Sequence, residues 1–330
     1  MTSNHFISIV FVSALSLLTS GHLVAQDVIV IEREDGKQTK RTGVIVDWQG
    51  AKISLASGER TRTIDVADVK QINTQWPDQL AVARKQINEN DLTSAIASLN
   101  DAKTNEERGW VKAIIGSELL QTHNGIENHK ASIREFVQLY AADKSTRFFH
   151  LIPLAWSIGE QNIPPQTELS RWLTNDNDVL RLIGASWLLS RGSNSDAISE
   201  LEKLTNSHDP RIAQLALAQL WRTRLLSANQ TDIDRWKRQL EKIQPELRAG
   251  PLAVLAQAQN RSGNKQQAQI NLMKIRILHK ENKLLSAYSL YLCGNIMADL
   301  NQTDRAKAIW NELVSEFPSS QYAKLAGNKM

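Results

Sequence analysis

Beyond residue 25 the chain carries five histidines: His123, His129, His150, His208 and His279. No two are spaced as H-x-x-x-H or H-E-x-x-H, the patterns that set paired imidazoles on one helix face for zinc. Isolated histidines of this kind belong to the surface or to a satisfied core. There is no G-x-S-x-G turn to present a serine nucleophile and no G-x-x-x-x-G-K-S/T loop to cradle phosphates. Cys293, the single cysteine, falls in an apolar helical stripe, where a thiol packs as a small hydrophobe. Asp176-Asn177-Asp178 has the acids of a calcium loop but neither its glycine nor its distal glutamate. It reads better as the cap of a helix opening at Val179. Glu106 and Glu107 are adjacent, point to different helix faces, and suit the solvated first turn of a helix carrying Trp110. No catalytic residue, metal set or cofactor is expected, and the chain is read as a non-enzyme; an enzyme with a dispersed site is the weaker alternative.

The chain that must position everything else has 330 residues, 42% apolar and 22% charged, enough for a sizeable core and a prior of about two domains. One cysteine excludes an internal disulfide framework. The net charge of +4 is a mild excess. Residues 1–25 read as a signal peptide. Phe6 to Leu18 is an apolar run of about 13 residues, long enough for an h-region and too short for a bilayer span. Leu23-Val24-Ala25 supplies a cleavage region, although the segment before the run has only the terminal amine and His5 as basic groups. An uncleaved short anchor or a buried helix are the other readings. Export predicts a periplasmic or secreted protein, not a lipoprotein, with no transmembrane segment after cleavage.

Residues 26–75 alternate in period two between Gly-bearing turns, which predicts about five short antiparallel strands at 27–33, 38–48, 51–56, 60–65 and 68–72. The pattern, with Gly43-Val44-Ile45-Val46-Asp47 and Ile53-Ser54-Leu55 as second and third strands, resembles an SH3-like or Sm-like small barrel. Eight acids and eight bases between Asp27 and Asn73 cancel, so no nucleic-acid partner is expected.

From residue 76 to 330 the apolar spacing becomes helical, as in Val111, Ile115 and Leu119 or Ala306, Trp310 and Leu313. Short polar clusters break the helices into hairpins. Four hairpins repeat a pair of small residues twelve apart: Ala83 and Ala95, Ala185 and Ala197, Ala256 and Ala268, Gly294 and Ala306. Small residues at these places let two antiparallel backbones approach closely. The second members are 102, 71 and 38 residues apart, about three, two and one repeat lengths. That leaves three units without the signature, their second helices placed near 128–141, 165–174 and 230–243. The spacing, and Pro318 twelve after Ala306, resemble the tetratricopeptide repeat. The tail from Ala308 to Ser320 is similar to repeats in exported envelope-assembly proteins. The fold expected is mainly α: an α-solenoid of about seven helical pairs after a small β-module.

Nine tryptophans among nineteen aromatics are unusual. Trp110, Trp156, Trp187 and Trp221 fall on predicted first helices, which line the concave groove in tetratricopeptide-type arrays. They are either core wedges or a peptide-binding surface. Trp156 and Trp221 are the groove candidates, with Arg222 and Arg248, since Trp and Arg dominate interface hot spots; Trp187 is assigned to the core. The function expected is an exported scaffold binding a protein or peptide of the cell envelope. The alternative is a cell-wall glycan module gripping through the β-module, for which Trp48 is the one aromatic well placed. If the repeat register is right, Ala185→Leu or Gly294→Leu overpacks a helix crossing and costs about 1–3 kcal/mol, read as a lowered melting temperature.

Overall fold

The computed structural model describes residues 26–32, 36–157, 163–192 and 194–330; the signal peptide expected at 1–25 lies outside the described residues. Five strands come first: β1 (Asp27–Glu32), β2 (Gln38–Gln49), β3 (Lys52–Ser57), β4 (Arg60–Asp65) and β5 (Val69–Asn73). They form one antiparallel sheet in the order β4-β3-β2-β1-β5. The turns Gly50-Ala51 and Gly58-Glu59 are two-residue hairpins whose glycines sit at φ 50° and 61°, the left-handed values such turns need. β2 pairs with β1 along its first half and with β3 along its second. It bends at Gly43, where any Cβ would overlap the carbonyl of Ala56.

The sheet is open, not the closed barrel that the sequence pattern predicts. Ile64 is the one buried residue of β4, and β5 has none. Edge strands so poor in apolar side chains have little to gain from closing over a core of their own. Ile29, Ile45, Ile53 and Leu55 instead share one core with Leu80, Leu99, Trp110, Val111 and Ile115 from the helices.

Fourteen helices follow among the described residues. Five helical hairpins pair α1 (Asp78–Asn88) with α2 (Leu92–Asn105), α3 (Gly109–Gly125) with α4 (His129–Ala142), α6 (Asp178–Ser190) with α7 (Ser195–Leu204), α10 (Ala249–Arg261) with α11 (Lys265–Leu278), and α12 (Lys283–Asp299) with α13 (Thr303–Glu316), whereas α8 (Pro210–Thr223) and α9 (Gln230–Lys242) meet through the side chains of Trp221 and Trp236. α5 (Gln166–Leu173) packs closely on α6, and α14 (Gln321–Gly327) packs on α13 and α12. Helices stand near the expected 128–141, 165–174 and 230–243 as α4, α5 and α9, but α5 corrects its reading as a second helix, because it packs forward on α6.

Five hairpins turn the same way. Asn90, Glu127, Gly192, Gly263 and Asn301 all take positive φ. After four of them the next residue's N–H reaches back five residues at 2.8–2.9 Å, to the carbonyls of Gln86, His123, Gln259 and Met297. This is the Schellman termination. Each of the four small pairs has its first member seven residues before that turn residue and its second five after it. Ala83, Ala95, Ala185, Ala197, Ala256, Ala268 and Ala306 have no exposed surface, and Gly294 is also buried. A Cβ on Gly294 would run into the Trp310 indole. Across two hairpins the twelve-residue spacing is also hydrogen-bonded, Ser98 Oγ to Gln86 and Asn271 Nδ2 to Gln259. The α3–α4 hairpin has the same frame with Leu120 and buried Ser132 in the two places, a unit hidden from the sequence by its leucine. Pro318 lies in the turn after α13.

α6, α8, α10, α12 and α14 lie side by side as an inner row. α3 touches α12, and Gln321 N–H donates to buried Glu127 at 2.7 Å, so the end of the row meets the α3–α4 hairpin. Glu106 corrects an expectation: it is 9% exposed, not solvated, because Arg108 clamps both its oxygens at 2.7–2.9 Å. Its carboxyl is held below the usual range by Arg108 despite burial. Asn177 caps α6 as expected, accepting from Val179 N–H at 2.9 Å. Cys293 is fully buried, and burial pushes its thiol up to about 11. Among the described residues no helix is long and apolar enough to cross a membrane.

His129, at the start of α4, is 2% exposed, its ring 4.5 Å from that of Trp187. Burial pushes it down from 6.5 to about 4. The unfolded chain therefore takes up this proton near pH 6.5 while the folded chain does so only near 4. Its contribution is complete above pH 6.5 and lost as the pH falls toward 4, at most about 3 kcal/mol. Denaturant melts of His129→Leu between pH 7 and 4 are expected to show a shallower loss of stability than the parent.

Candidate functional site

Of the four residues nominated from sequence, Trp156 lies on one buried segment and Arg222 is bonded to it. Among the described residues of 143–165 there is no α-helix; Phe149–Leu151 is a 3-10 turn and 152–156 have no regular secondary structure. Trp156 thus corrects its assignment to a helix. Pro153 denies the segment a helical interior, and Pro164-Pro165 ends it at the start of α5. These irregular residues cross the inner row, with Ile152, Leu154, Ala155 and Trp156 all buried. Their carbonyls have no strand to pair with. Trp187 Nε1 donates to Pro153 at 2.8 Å. Ser186 Oγ and Gln219 Nε2 donate to Ala155 at 3.1 and 3.0 Å. Ser190 Oγ and Arg222 Nη2 donate to Ser157 at 3.1 and 2.9 Å.

The rings expected to meet a partner therefore face the chain itself. Trp156 is 6% exposed and seated on Gly250, where a Cβ would overlap its indole. Trp221 is 3% exposed, stacked on Trp236 at 5.4 Å and bonded through Nε1 to Gln239. Arg222 is 5% exposed. The fourth residue, Arg248, is elsewhere. It donates to the carbonyls of Ile243 and Glu241 at 2.7 and 2.8 Å, ending α9, and borders an open cleft.

That cleft, about 790 Å³, lies between α9 and α11. Its floor is α10, which presents Leu252, Leu255 and Gln259 at i, i+3 and i+7. Leu240 and Leu278 line the two walls. Gln259 is fully buried; its oxygen accepts from Asn271 at 2.8 Å, and its Nε2 has no acceptor among the described residues. Leu278 is 65% exposed, and Ile270 and Ile277 on the same helix are also exposed. Sequence reasoning missed this cleft. The available signals were a glutamine within the apolar run of α10 and more apolar positions on α11 than one buried stripe requires.

The β-module offers less. Trp48 is covered on one face by the Arg147 guanidinium, 3.4 Å from its ring centre, and lies 6.0 Å from Trp110. Burial lowers Arg147 to about 10. Trp76 stands edge-on to Trp110 at 5.8 Å, and Trp110 Nε1 donates to Ile45. The aromatics join sheet to helices, and Arg147 occupies one face of the half-buried Trp48 indole, the aromatic on which the glycan reading rests.

No family model matches the chain, and comparisons with curated proteins and with solved structures return no match. The close seat of Trp156 on α10 predicts that Gly250→Ala lowers the melting temperature, costing about 1–3 kcal/mol. Gly250→Ala combined with Trp156→Leu is expected to cost less than the two separate losses added together, since the smaller side chain relieves the clash.

Proposed function

We propose that this chain is an exported, non-enzymatic scaffold that holds a polypeptide partner of the cell envelope, and that the partner seats in the cleft between α9 and α11. The helical part is read as a tetratricopeptide-like α-solenoid, supported by positive-φ turns in five hairpins, four of which carry paired small residues. The sheet, with its SH3-like strand count, is read as the cover of the first hairpin, supported by the core it shares with α1 to α3. In such arrays each unit stabilises mainly its neighbours, and function resides in the surfaces left over.

The observation that carries the reading is the contrast between two surfaces. The inner row is filled by the chain's own residues 152–157, whereas the cleft is open and bears exposed Leu278 beside an apolar floor. Exposed apolar side chains grouped at a concavity mark interaction sites more often than chance surface.

The test is site-specific photocrosslinking in cells. A benzoylphenylalanine at Leu278 is expected to give a discrete protein adduct in the envelope fraction, and one at Val46, exposed on β2, is expected to give none. Equal labelling at both positions, or an adduct at neither, counts against the scaffold and its site.

A further inference from the structure

We propose that the cleft between α9 and α11 takes an uncharged apolar peptide segment and fixes it through a backbone carbonyl on the Gln259 amide. The inference rests on the polypeptide reading above and adds what the partner must look like. Asn271 Nδ2 donates to Gln259 Oε1 at 2.8 Å, which orients the amide and leaves both Nε2 hydrogens over. That nitrogen is buried without an acceptor, on a residue with no exposed surface. A buried donor left unmade is costly, and a ligand acceptor removes the penalty. The carbonyls of α10 itself are engaged in its helix, so the acceptor must come from outside.

The surroundings exclude a charged occupant. Lys237, Arg248 and Lys274 stand around the cleft against Glu241, Glu246 and Glu281, three of each sign. His279 also lines it, and burial keeps its imidazole below the ordinary range and so neutral at pH 7. Arg248 is already spent on the end of α9. A ligand of either charge gains no net attraction there and loses water over Leu252 and Leu255. What remains complementary is apolar side chains for the floor and for Leu240 and Leu278, with an acceptor at Gln259. A peptide brings both at once, because every residue carries a carbonyl. The volume, about 790 Å³, falls within the size of ordinary ligand sites, roughly 300–1,000 Å³.

The probe is a fluorescein-labelled eight-residue peptide of Leu, Ala, Val and Ser, titrated with the full chain by fluorescence anisotropy. Two companions replace two leucines by Glu or by Lys. The uncharged peptide is expected to bind about ten-fold more tightly than either companion. Gln259→Met is expected to weaken it about ten-fold, and Leu278→Ser several-fold. The second change falls on an exposed side chain and leaves folding intact. A thioamide scan of the peptide tests the carbonyl without altering the protein: one position is expected to lose affinity several-fold. No binding by the uncharged peptide, equal binding by the charged ones, or a flat thioamide scan overturns the inference. Loss on Leu278→Ser with none on a folded Gln259→Met assigns the cleft to any apolar ligand and also overturns it. If these peptides fail while the Leu278 crosslink still forms, the partner chemistry is wrong and the scaffold reading stands.

Discussion

Arg222 holds residues 152–157 against the inner row by donating to the carbonyl of Ser157, and it reaches the carbonyl of Ser186 in α6 as well. With Gln219, Ser186, Ser190 and Trp187 it satisfies three carbonyls that no strand or helix pairs. Each such group, buried and unmet, would cost on the order of 1–3 kcal/mol. The polar side chains on α6 and α8 are therefore not a ligand site awaiting occupancy. They replace the backbone ladder that a helix would have made for itself. The segment in turn gives the inner row an apolar filling: Leu154, Ala155 and Trp156 meet α6, α8 and α10 in one continuous core. Removing the polar clamp would leave apolar residues in place over carbonyls with nowhere to go.

Close approach is the second constraint. Gly43 lets β2 pass Ala56, Gly250 seats Trp156 and Gly294 seats Trp310. Each is a place where a large partner occupies the volume that a side chain would have taken. This division of volume lets helices only 7–17 residues long pack closely around nine tryptophans. The closing contacts, α3 against α12 with Glu127 on the start of α14, join the second hairpin to the end of the chain. They thereby cover apolar surface that a strictly linear row would leave to solvent.

Much of this was legible in the sequence, and the failures have physical causes. Strand limits followed from period-two alternation, since the turn glycines mark where left-handed backbone is needed. The hairpins of the four small pairs followed from steric necessity at a crossing. The α3–α4 unit was not legible, because Leu120 breaks the small-residue rule while the turn at Glu127 keeps the frame. From its spacing in the sequence, Trp156 falls on the predicted first helix of a hairpin. Pro153 argued otherwise, and so did the polar set Ser186, Ser190, Gln219 and Arg222 inside apolar helices, which only irregular backbone can use. The site was displaced for the same reason. Tryptophan and arginine at helical spacing look alike whether they face a partner or the chain's own backbone, and the difference lies in contacts 30 to 65 residues away.

The cleft follows from the same use of bulky residues. α9 buries little of itself, chiefly Ile233 and Trp236, and it meets α8 through the stacked rings of Trp221 and Trp236. Two indoles make a thick spacer. The chain then leaves α9 through 243–248, where Arg248 fixes the exit by bonding the last carbonyls. A helix propped out and pinned at its end does not settle onto α11, so the apolar face of α10 beneath them stays uncovered. Trp221 and Arg248, nominated as hands for a partner, act instead as the frame that keeps the cleft open. The surface left to a partner is then a set of leucines and one buried amide, residue types that no inspection of hot-spot chemistry in the sequence would have selected.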